Sequence, residues 1–278
     1  MMNIRFIPLM IISSLLSFST LYADYDIHKA KSSINWEKGY IFSQGESVIY
    51  IKDNGEPADY YNMSPTTVNK ARKNAYTKAR EAAILEMIDS FKSIRIDNNK
   101  KIKDLVMTDV FTQKRLSALM QNSISISEYP GDFFTSICEV RLRTSCIIPS
   151  LPFSFPSYDF PVEERASIPT YYSGIIIDTR GLGIKPMLFP SIYNKNGREI
   201  YGRLYIDGQY ASKYGIVTYC YSESDAFRNK NAGKHPYYTA AILKKNGCPV
   251  LSNKDTRKIL GHKGTINNLK KCRVIFIL

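Results

Sequence analysis

The residues of this 278-residue sequence that are best suited to chemistry directly follow a run of three isoleucines. Asp178 and Arg180 come just after Ile175–Ile177, and Gly181 then begins a turn. A carboxylate and a guanidinium two residues apart can pair with each other, bind backbone groups of the turn, or bind a ligand. We expect the two side chains to fix the turn, and we expect any function of theirs to be binding.

Three nearby residues extend this candidate binding set, namely Tyr172, Arg198 and Tyr201. Tyrosine is abundant in the chain, with 20 residues, and its amphipathic ring suits contacts with proteins or glycans. The preference of tyrosine for strands is a simpler explanation of this abundance. We therefore predict a binding site and no catalytic residues.

A hydrolase built around Asp178 is an alternative. The run Ile-Ile-Ile-Asp-Thr-Arg-Gly is similar to a strand end of tail-processing serine peptidases, where hydrophobic-Asp-Leu-Arg-Gly precedes Asn-Pro-Gly-Gly. The Asn-Pro-Gly-Gly part is missing here, and no serine with a lysine partner occupies a matching position. This comparison therefore favours a structural or binding role for the run.

The sequence contains no pattern typical of a cofactor or metal site. Gly181-Leu182-Gly183 lacks the third glycine and the strand–turn–helix context of a dinucleotide site. His28, His235 and His262 are scattered, and none has cysteines or carboxylates at metal-binding spacing. We expect neither a cofactor nor a metal, and we expect the histidines to lie in exposed loops.

The five cysteines are an odd number, so at least one thiol must be free. Cys138 and Cys146 lie on one predicted strand, roughly 26 Å apart if extended, which is too far for a disulfide. We expect the cysteines to be small buried side chains. A pairing among Cys220, Cys248 and Cys272 stays open.

The positive charge of the chain, +13 in total, is concentrated in its C-terminal half. Residues 24–150 carry 18 Lys and Arg against 16 Asp and Glu, whereas residues 151–278 carry 19 against nine. A basic C-terminal half could bind anionic lipid, an acidic cell-wall polymer or nucleic acid, or it could simply have a solvated basic surface.

The N-terminus has the layout of a secretory signal peptide. Met1–Arg5 is a short positive region, Phe6–Phe18 is apolar, and Ala23 ends a plausible cleavage site. No cysteine lies near that site, which predicts a protein without an N-terminal lipid. We expect export to the periplasm, with association with the outer membrane left open. An uncleaved anchor also stays open, because Leu21 is larger than usual at its position.

Residues 24–148 carry the signals of strands, then helices, then strands. Two short strands hinged at Gln44-Gly45 come first, and Ser64-Pro65 starts a helix whose alanines recur every three or four residues. A second helix is predicted over 104–122, followed by a strand hairpin over 124–143. This order predicts an α+β sandwich with its own core.

The rest of the chain is predicted to form a linker and a second domain. Residues 149–170 are rich in proline and aromatic side chains, which predicts a stiff linker that packs on a domain surface. Residues 171–278 predict a basic, mixed α/β domain, so that the fold class of the whole chain is α+β. Its predicted elements are a buried strand at 174–178, extended segments at 187–193 and 198–206, strands at 216–222, 237–245 and 271–278, a helical turn at 225–229, and a helix at 255–260 capped by Ser252 or Asn253.

The N-terminal domain carries a short pattern found in a known family. Trp36 precedes a glycine-containing strand pair, Ala71-Arg72 begins an alanine-rich helix, and Val140–Leu142 forms a closing strand. Over about residues 34–146 this pattern resembles the bacterial envelope family of the 20-kilodalton outer-membrane lipoprotein and the flagellar P protein. The resemblance implies an α+β envelope domain.

The stretch Tyr172–Leu182, with Pro186, Pro190 and Gly197–Gly202, carries a second resemblance. It is similar to a C-terminal extension of uncharacterised exported proteins from diderm bacteria, including spirochaetes. The resemblance implies a periplasmic or outer-membrane-associated protein, linked in some members to flagellar assembly or motility, and it implies no catalytic residues.

These observations favour a non-enzymatic exported envelope protein with a structural or assembly role. The expected partners are envelope or flagellar-associated proteins or a second copy of the chain, and export argues against nucleic acid. The first alternative is a binding module for an acidic cell-wall or lipid ligand, and the second is the hydrolase around Asp178.

Overall fold

The computed structural model describes residues 28–132, 134–162 and 169–278. The described chain divides into two compact units. The predicted signal peptide, residues 1–23, lies outside the described residues, as do residues 163–168 of the predicted linker. The first unit comprises the described residues up to Asn35, Tyr40–Ser93 and Lys103–Arg143, and the second comprises Trp36–Gly39, Ile94–Ile102 and Thr144–Leu278.

An antiparallel sheet with one long helix on its face forms the first unit. The sheet order is β1-β2-β4-β3, and α1 packs on the face that β2 and β4 bury by strict alternation. The elements in chain order are β1 (His28–Asn35), β2 (Tyr40–Val48), α1 (Val68–Ser93), α2 (Ile102–Thr108), α3 (Val110–Ser123), β3 (Ser125–Pro130) and β4 (Thr135–Arg143).

The predicted hinge at Gln44-Gly45 is wrong, because β2 is continuous from Tyr40 to Val48. Gly45 instead allows a close contact with α1. A Cβ at this position would lie 2.0 Å from the carbonyl oxygen of Ala79 and 2.7 Å from the amide nitrogen of Ala83. The hydroxyl of Ser43, on the same strand, donates to the Ala83 carbonyl at 2.7 Å. The alanines that predicted the helix are thus the residues that let it approach the sheet.

Two helix boundaries differ from the prediction. The first helix begins at Val68 rather than near Ser64, and the hydroxyl of Thr67 accepts a hydrogen bond from the Lys70 amide at 3.3 Å. The predicted second helix is divided at Asp109, whose carboxylate caps α3 by accepting from the Phe111 amide at 3.0 Å. The predicted hairpin is confirmed as β3 and β4.

The second unit contains two four-stranded sheets. One is parallel, in the order β8-β12-β5-β9, and the other is mixed, in the order β10-β11-β6-β7. Its elements are a 3₁₀ helix (Thr144–Ser150), β5 (Ile175–Asp178), β6 (Ile192–Asn194), β7 (Glu199–Tyr201), α4 (Gly208–Tyr214), β8 (Thr218–Cys220), α5 (Glu223–Arg228), β9 (Tyr237–Ala240), β10 (Leu243–Lys245), β11 (Cys248–Leu251), α6 (Asn253–Leu260), α7 (Lys263–Lys270) and β12 (Val274–Ile277). The α+β fold class is therefore confirmed.

The strand at 174–178 and the Ser252 cap of α6 are confirmed, but several predicted strands are shorter or divided. The predicted segment 237–245 is two strands in different sheets, because the chain leaves the parallel sheet after Ala240. His262 was predicted to lie in a loop, but it is the N-cap residue of helix α7. Its Nδ1 atom accepts a hydrogen bond from the Gly264 amide at 3.0 Å. In the predicted linker, Phe160 is buried in the core of the second unit and Phe155 packs against it.

All five cysteines are free thiols. Cys138, Cys220, Cys248 and Cys272 are buried, and Cys146 is partly exposed. Burial raises the pKa of Cys138 and of Cys220 to about 11 and that of Cys272 to about 12, so these thiols stay protonated at neutral pH. The prediction of small buried side chains holds for four of the five.

We predict that Gly45→Ala destabilises the protein by about 3 kcal/mol, because the new methyl group meets backbone atoms of α1 that cannot rotate away. Gly55→Ala is the matched control: its φ is +83°, but no atom lies within 4 Å of the added Cβ. That change should cost only about 1 kcal/mol. Urea unfolding of both variants measures the difference, and equal stabilities would contradict the close contact.

We also predict that one thiol, that of Cys146, reacts rapidly with an aromatic disulfide reagent in the folded protein. The other four should react only at the rate of unfolding. Absorbance of the released thiolate counts the reacted groups, and Cys146→Ser should abolish the fast phase. A fast phase of two or more thiols would contradict the described burial.

Candidate functional site

The parallel sheet brings the carboxyl ends of four strands to one edge. β5 lies between β12 and β9, with Asp178 paired to Ile277 on one side and to Ala240 on the other. Three of the four residues of β5 are fully buried isoleucines, the pattern of a strand covered on both faces. Polar side chains that follow the strands therefore meet at this edge, where open α/β sheets commonly bind ligands.

Asp178 and Arg180 form a bidentate ion pair at this edge. The Nε atom of Arg180 lies 2.9 Å from Oδ1 of Asp178, and Nη2 lies 2.5 Å from Oδ2. The backbone amide of Arg180 also donates to Oδ1, at 3.1 Å. Asp178 and Arg180 therefore fix the turn after β5, as the sequence predicted.

Residues from two distant segments join the pair. The hydroxyl of Tyr238 donates to Oδ2 of Asp178 at 3.0 Å, and the ring of Phe227 stacks on Tyr238 with centroids 5.8 Å apart. A carboxylate oxygen of Glu223 lies 3.8 Å from Nη2 of Arg180. We call Asp178, Arg180, Glu223, Phe227 and Tyr238 the edge cluster. Only Asp178 and Arg180 could be found from the sequence, because the other three come from β9 and α5, which lie far away in the chain.

The electrostatics of the edge cluster favour a fixed ion pair. The hydrogen bonds from Arg180 are the main cause that lowers the pKa of Asp178 to about 2, and the Asp178 carboxylate in turn raises the pKa of Arg180. A carboxylate with such a pKa is a weak proton acceptor at neutral pH. Its two oxygens already accept four hydrogen bonds, from Arg180 and Tyr238. The arrangement therefore suits a structural role better than acid–base chemistry.

The other three predicted site residues do not join this cluster. Tyr172 precedes β5, and its backbone amide donates to the Thr265 hydroxyl at 2.9 Å. Arg198 is exposed in the turn between β6 and β7. Tyr201 is part of the core, with its hydroxyl 2.5 Å from the Ile216 carbonyl oxygen, so its assignment to a binding surface is corrected. Its aromatic ring fills space between the elements of the second unit.

The described residues contain neither a candidate metal site nor a helix that could span a membrane. No group of three or more His, Cys, Asp and Glu side chains in residues 28–132, 134–162 and 169–278 is placed to hold a metal ion. Within the same ranges, no helix has both the length and the apolar character needed to cross a membrane.

Comparison with known proteins gives a family match that lies within the second unit. Residues 174–278 match the family described as Treponema pallidum Tp0624, second domain. The match begins immediately before β5 and includes the whole parallel sheet and the edge cluster. No curated protein matches the chain.

We predict that Asp178 makes the stability of the protein sensitive to acid. Its pKa in the folded state is lowered to about 2, so the stabilising effect is complete above about pH 4 and is lost as the pH falls toward about 2. The free energy of unfolding should therefore fall more steeply over this interval in the wild type than in Asp178→Asn.

Urea unfolding at a series of pH values measures this difference. Asp159→Asn is the control, because Asp159 is a fully exposed carboxylate of the same unit, and its 3.8 Å ion pair with Lys270 is weakened by solvent. The control should keep the wild-type pH dependence. A wild type and an Asp178→Asn variant with the same slope between about pH 4 and about pH 2 would contradict the ion-pair account.

Proposed function

We propose that the protein is a non-enzymatic, exported cell-envelope protein with a structural or assembly role, in support of outer-membrane or flagellar organisation. The observation that carries this proposal is the self-contained edge cluster. Asp178 engages Arg180 and Tyr238 at the position where an α/β sheet would otherwise present reactive groups. The side chains at this edge satisfy one another, which favours a structural role for the edge cluster over a catalytic one.

The family match supports a modular role for the second unit. In the Treponema pallidum protein, the matching unit is described as a second domain, and here it also follows another compact unit. The resemblance of Tyr172–Leu182 is to exported proteins of diderm bacteria, a group that includes spirochaetes. A unit that occurs beside other domains suits a protein that connects partners.

The first unit offers a means of assembly. β3 (Ser125–Pro130) is an edge strand of the antiparallel sheet, and all six of its residues are exposed. An exposed edge strand presents backbone groups to which another strand can add. We propose that a second copy of this chain pairs along β3, which would make the protein a self-assembling envelope component.

The two alternatives have unequal support. The excess of basic residues in 151–278, 19 against nine, favours the module for an acidic cell-wall or lipid ligand as the second candidate. The hydrolase around Asp178 is supported less, because the carboxylate that would have to accept a proton is held as an ion pair with Arg180.

The assembly role is tested with the full chain exported in a diderm bacterium and crosslinked in the cell. The wild type should give discrete crosslinked species that contain a second copy of the chain or envelope proteins. Ile126→Lys, which places a charge on the exposed edge strand β3, should weaken the self-crosslink at least fivefold. Sedimentation of the purified protein should show the same change.

Leu85→Lys is the matched control. Leu85 has almost the same exposure as Ile126, 42% against 40%, but it lies on α1 and not on a sheet edge. This variant should crosslink like the wild type. A wild type that stays monomeric in sedimentation and forms no discrete crosslinked species in cells would overturn the proposal.

A further inference from the structure

A basic cleft of about 390 Å³ lies within the second unit, and the sequence pattern did not single out any of its charged residues. Two lysines and one arginine contribute its charge, namely Lys185, Lys244 and Arg95. The remaining lining residues are small, polar or flexible: Asn98, Gly183, Met187, Asn246 and Gly247. We call this feature the basic cleft. Its volume falls in the range of sites for small ligands.

The arginine of the cleft lies on a rigid segment. The carbonyl oxygens of Arg95 and Ile96 accept hydrogen bonds from the amides of Leu188 and Phe189, at 2.9 and 2.8 Å. The side chain of Ile96 is fully buried. The segment is thus pinned to the rest of the second unit by backbone hydrogen bonds and by apolar burial, which places the guanidinium of Arg95 in a fixed region.

The hairpin of β10 and β11 forms another wall. Lys244 lies on β10, and its Nζ atom is 3.4 Å from the carbonyl oxygen of Gly183. Gly247, in the turn of the hairpin, lies so close to Asn98 that an added Cβ would be 2.5 Å from its Oδ1 atom. The glycine therefore allows the hairpin and the Arg95 segment to meet.

The charges of the cleft are not balanced by its own lining. None of the lining residues is acidic. Asp97, on the same segment as Arg95, accepts hydrogen bonds from the amides of Asn99 and Lys100 at 2.8 and 2.9 Å. Three cations that share one concave space repel one another, and an anion placed among them removes that repulsion.

Arg95 also has an unsatisfied donor. Its Nη2 atom donates to the Asn98 carbonyl at 2.8 Å, but its buried Nε–H has no hydrogen-bond partner among the described residues. That atom is shielded from solvent, so a ligand in the cleft would meet the Nη groups of the guanidinium instead. An oxyanion is the partner that a guanidinium binds best.

We propose that the basic cleft binds the phosphate group of an organic phosphate, with Arg95, Lys185 and Lys244 as the binding residues. A phosphate offers several oxygens, which suits three separate cations better than a single carboxylate does. The cleft is also much larger than a phosphate group alone, so it has room for the organic part that carries the phosphate. This site is separate from the edge cluster, and the proposal stands independently of self-assembly.

The test is titration calorimetry of the full chain with glycerol 3-phosphate, beside cosedimentation with phosphatidylcholine vesicles that contain phosphatidylglycerol. Lys185→Gln combined with Lys244→Gln should weaken binding at least tenfold, and Arg95→Gln alone should weaken it at least fivefold. The control pairs Lys230→Gln with Lys234→Gln, which removes the same charge at exposed positions outside the cleft. The control should change binding by less than twofold.

The two probes distinguish the source of the phosphate. Binding of glycerol 3-phosphate, lost in the cleft variant, assigns the site to a soluble or polymer-borne phosphate. Vesicle binding alone, lost in the cleft variant, assigns it to a lipid headgroup. The proposal is overturned if neither probe binds, or if the control variant loses as much affinity as the cleft variant. Thermal unfolding at the wild-type temperature shows that each variant is folded.

Discussion

The second unit depends on the parallel pairing of β5 with β12. The paired residues are about 100 positions apart in the chain, from Ile175 with Val274 to Asp178 with Ile277. Seven of the eight residues in these two strands are buried, so the pairing also forms the centre of the core. β8 adds to one side of this pair and β9 to the other. The parallel sheet therefore requires the whole of 174–278, the same extent as the family match.

The second unit contains two groups of polar residues, one at the carboxyl edge of the parallel sheet and one in the basic cleft. At the carboxyl edge, the pairing of β5 with β9 places Asp178 beside Tyr238, and Arg180 follows in the turn after β5, so that these groups satisfy one another. In the basic cleft, the charges are not balanced. Lys185 and Lys244 share the cleft with Arg95, and no lining residue is acidic. One polar site is thus complete within the chain, and the other lacks a partner. That contrast is the physical basis for assigning ligand recognition to the cleft.

The sequence predicted what local chemistry determines. A run of isoleucines gave a buried strand, and the Asp178–Arg180 spacing gave a fixed turn, because both depend on neighbours in the chain. Tyr238 and Glu223 could not be predicted as their partners, since β9 brings Tyr238 to Asp178 from 60 residues away and α5 brings Glu223 to Arg180 from 43 residues away. Tyr201 was misassigned because a tyrosine can be a buried packing residue as readily as a surface one. Gly45 was misassigned because a glycine within a strand is compatible both with a hinge and with a close helix contact.

The most direct test of the claim that the second unit recognises its ligand through the basic cleft is a nuclear magnetic resonance titration. The amide resonances of the isotope-labelled full chain would be followed as glycerol 3-phosphate is added. The account predicts that the amides of Gly183, Asn246 and Gly247 shift together and saturably, while those of Arg180 and Tyr238 do not move. Shifts centred on Arg180 and Tyr238, with Gly247 unchanged, would contradict it.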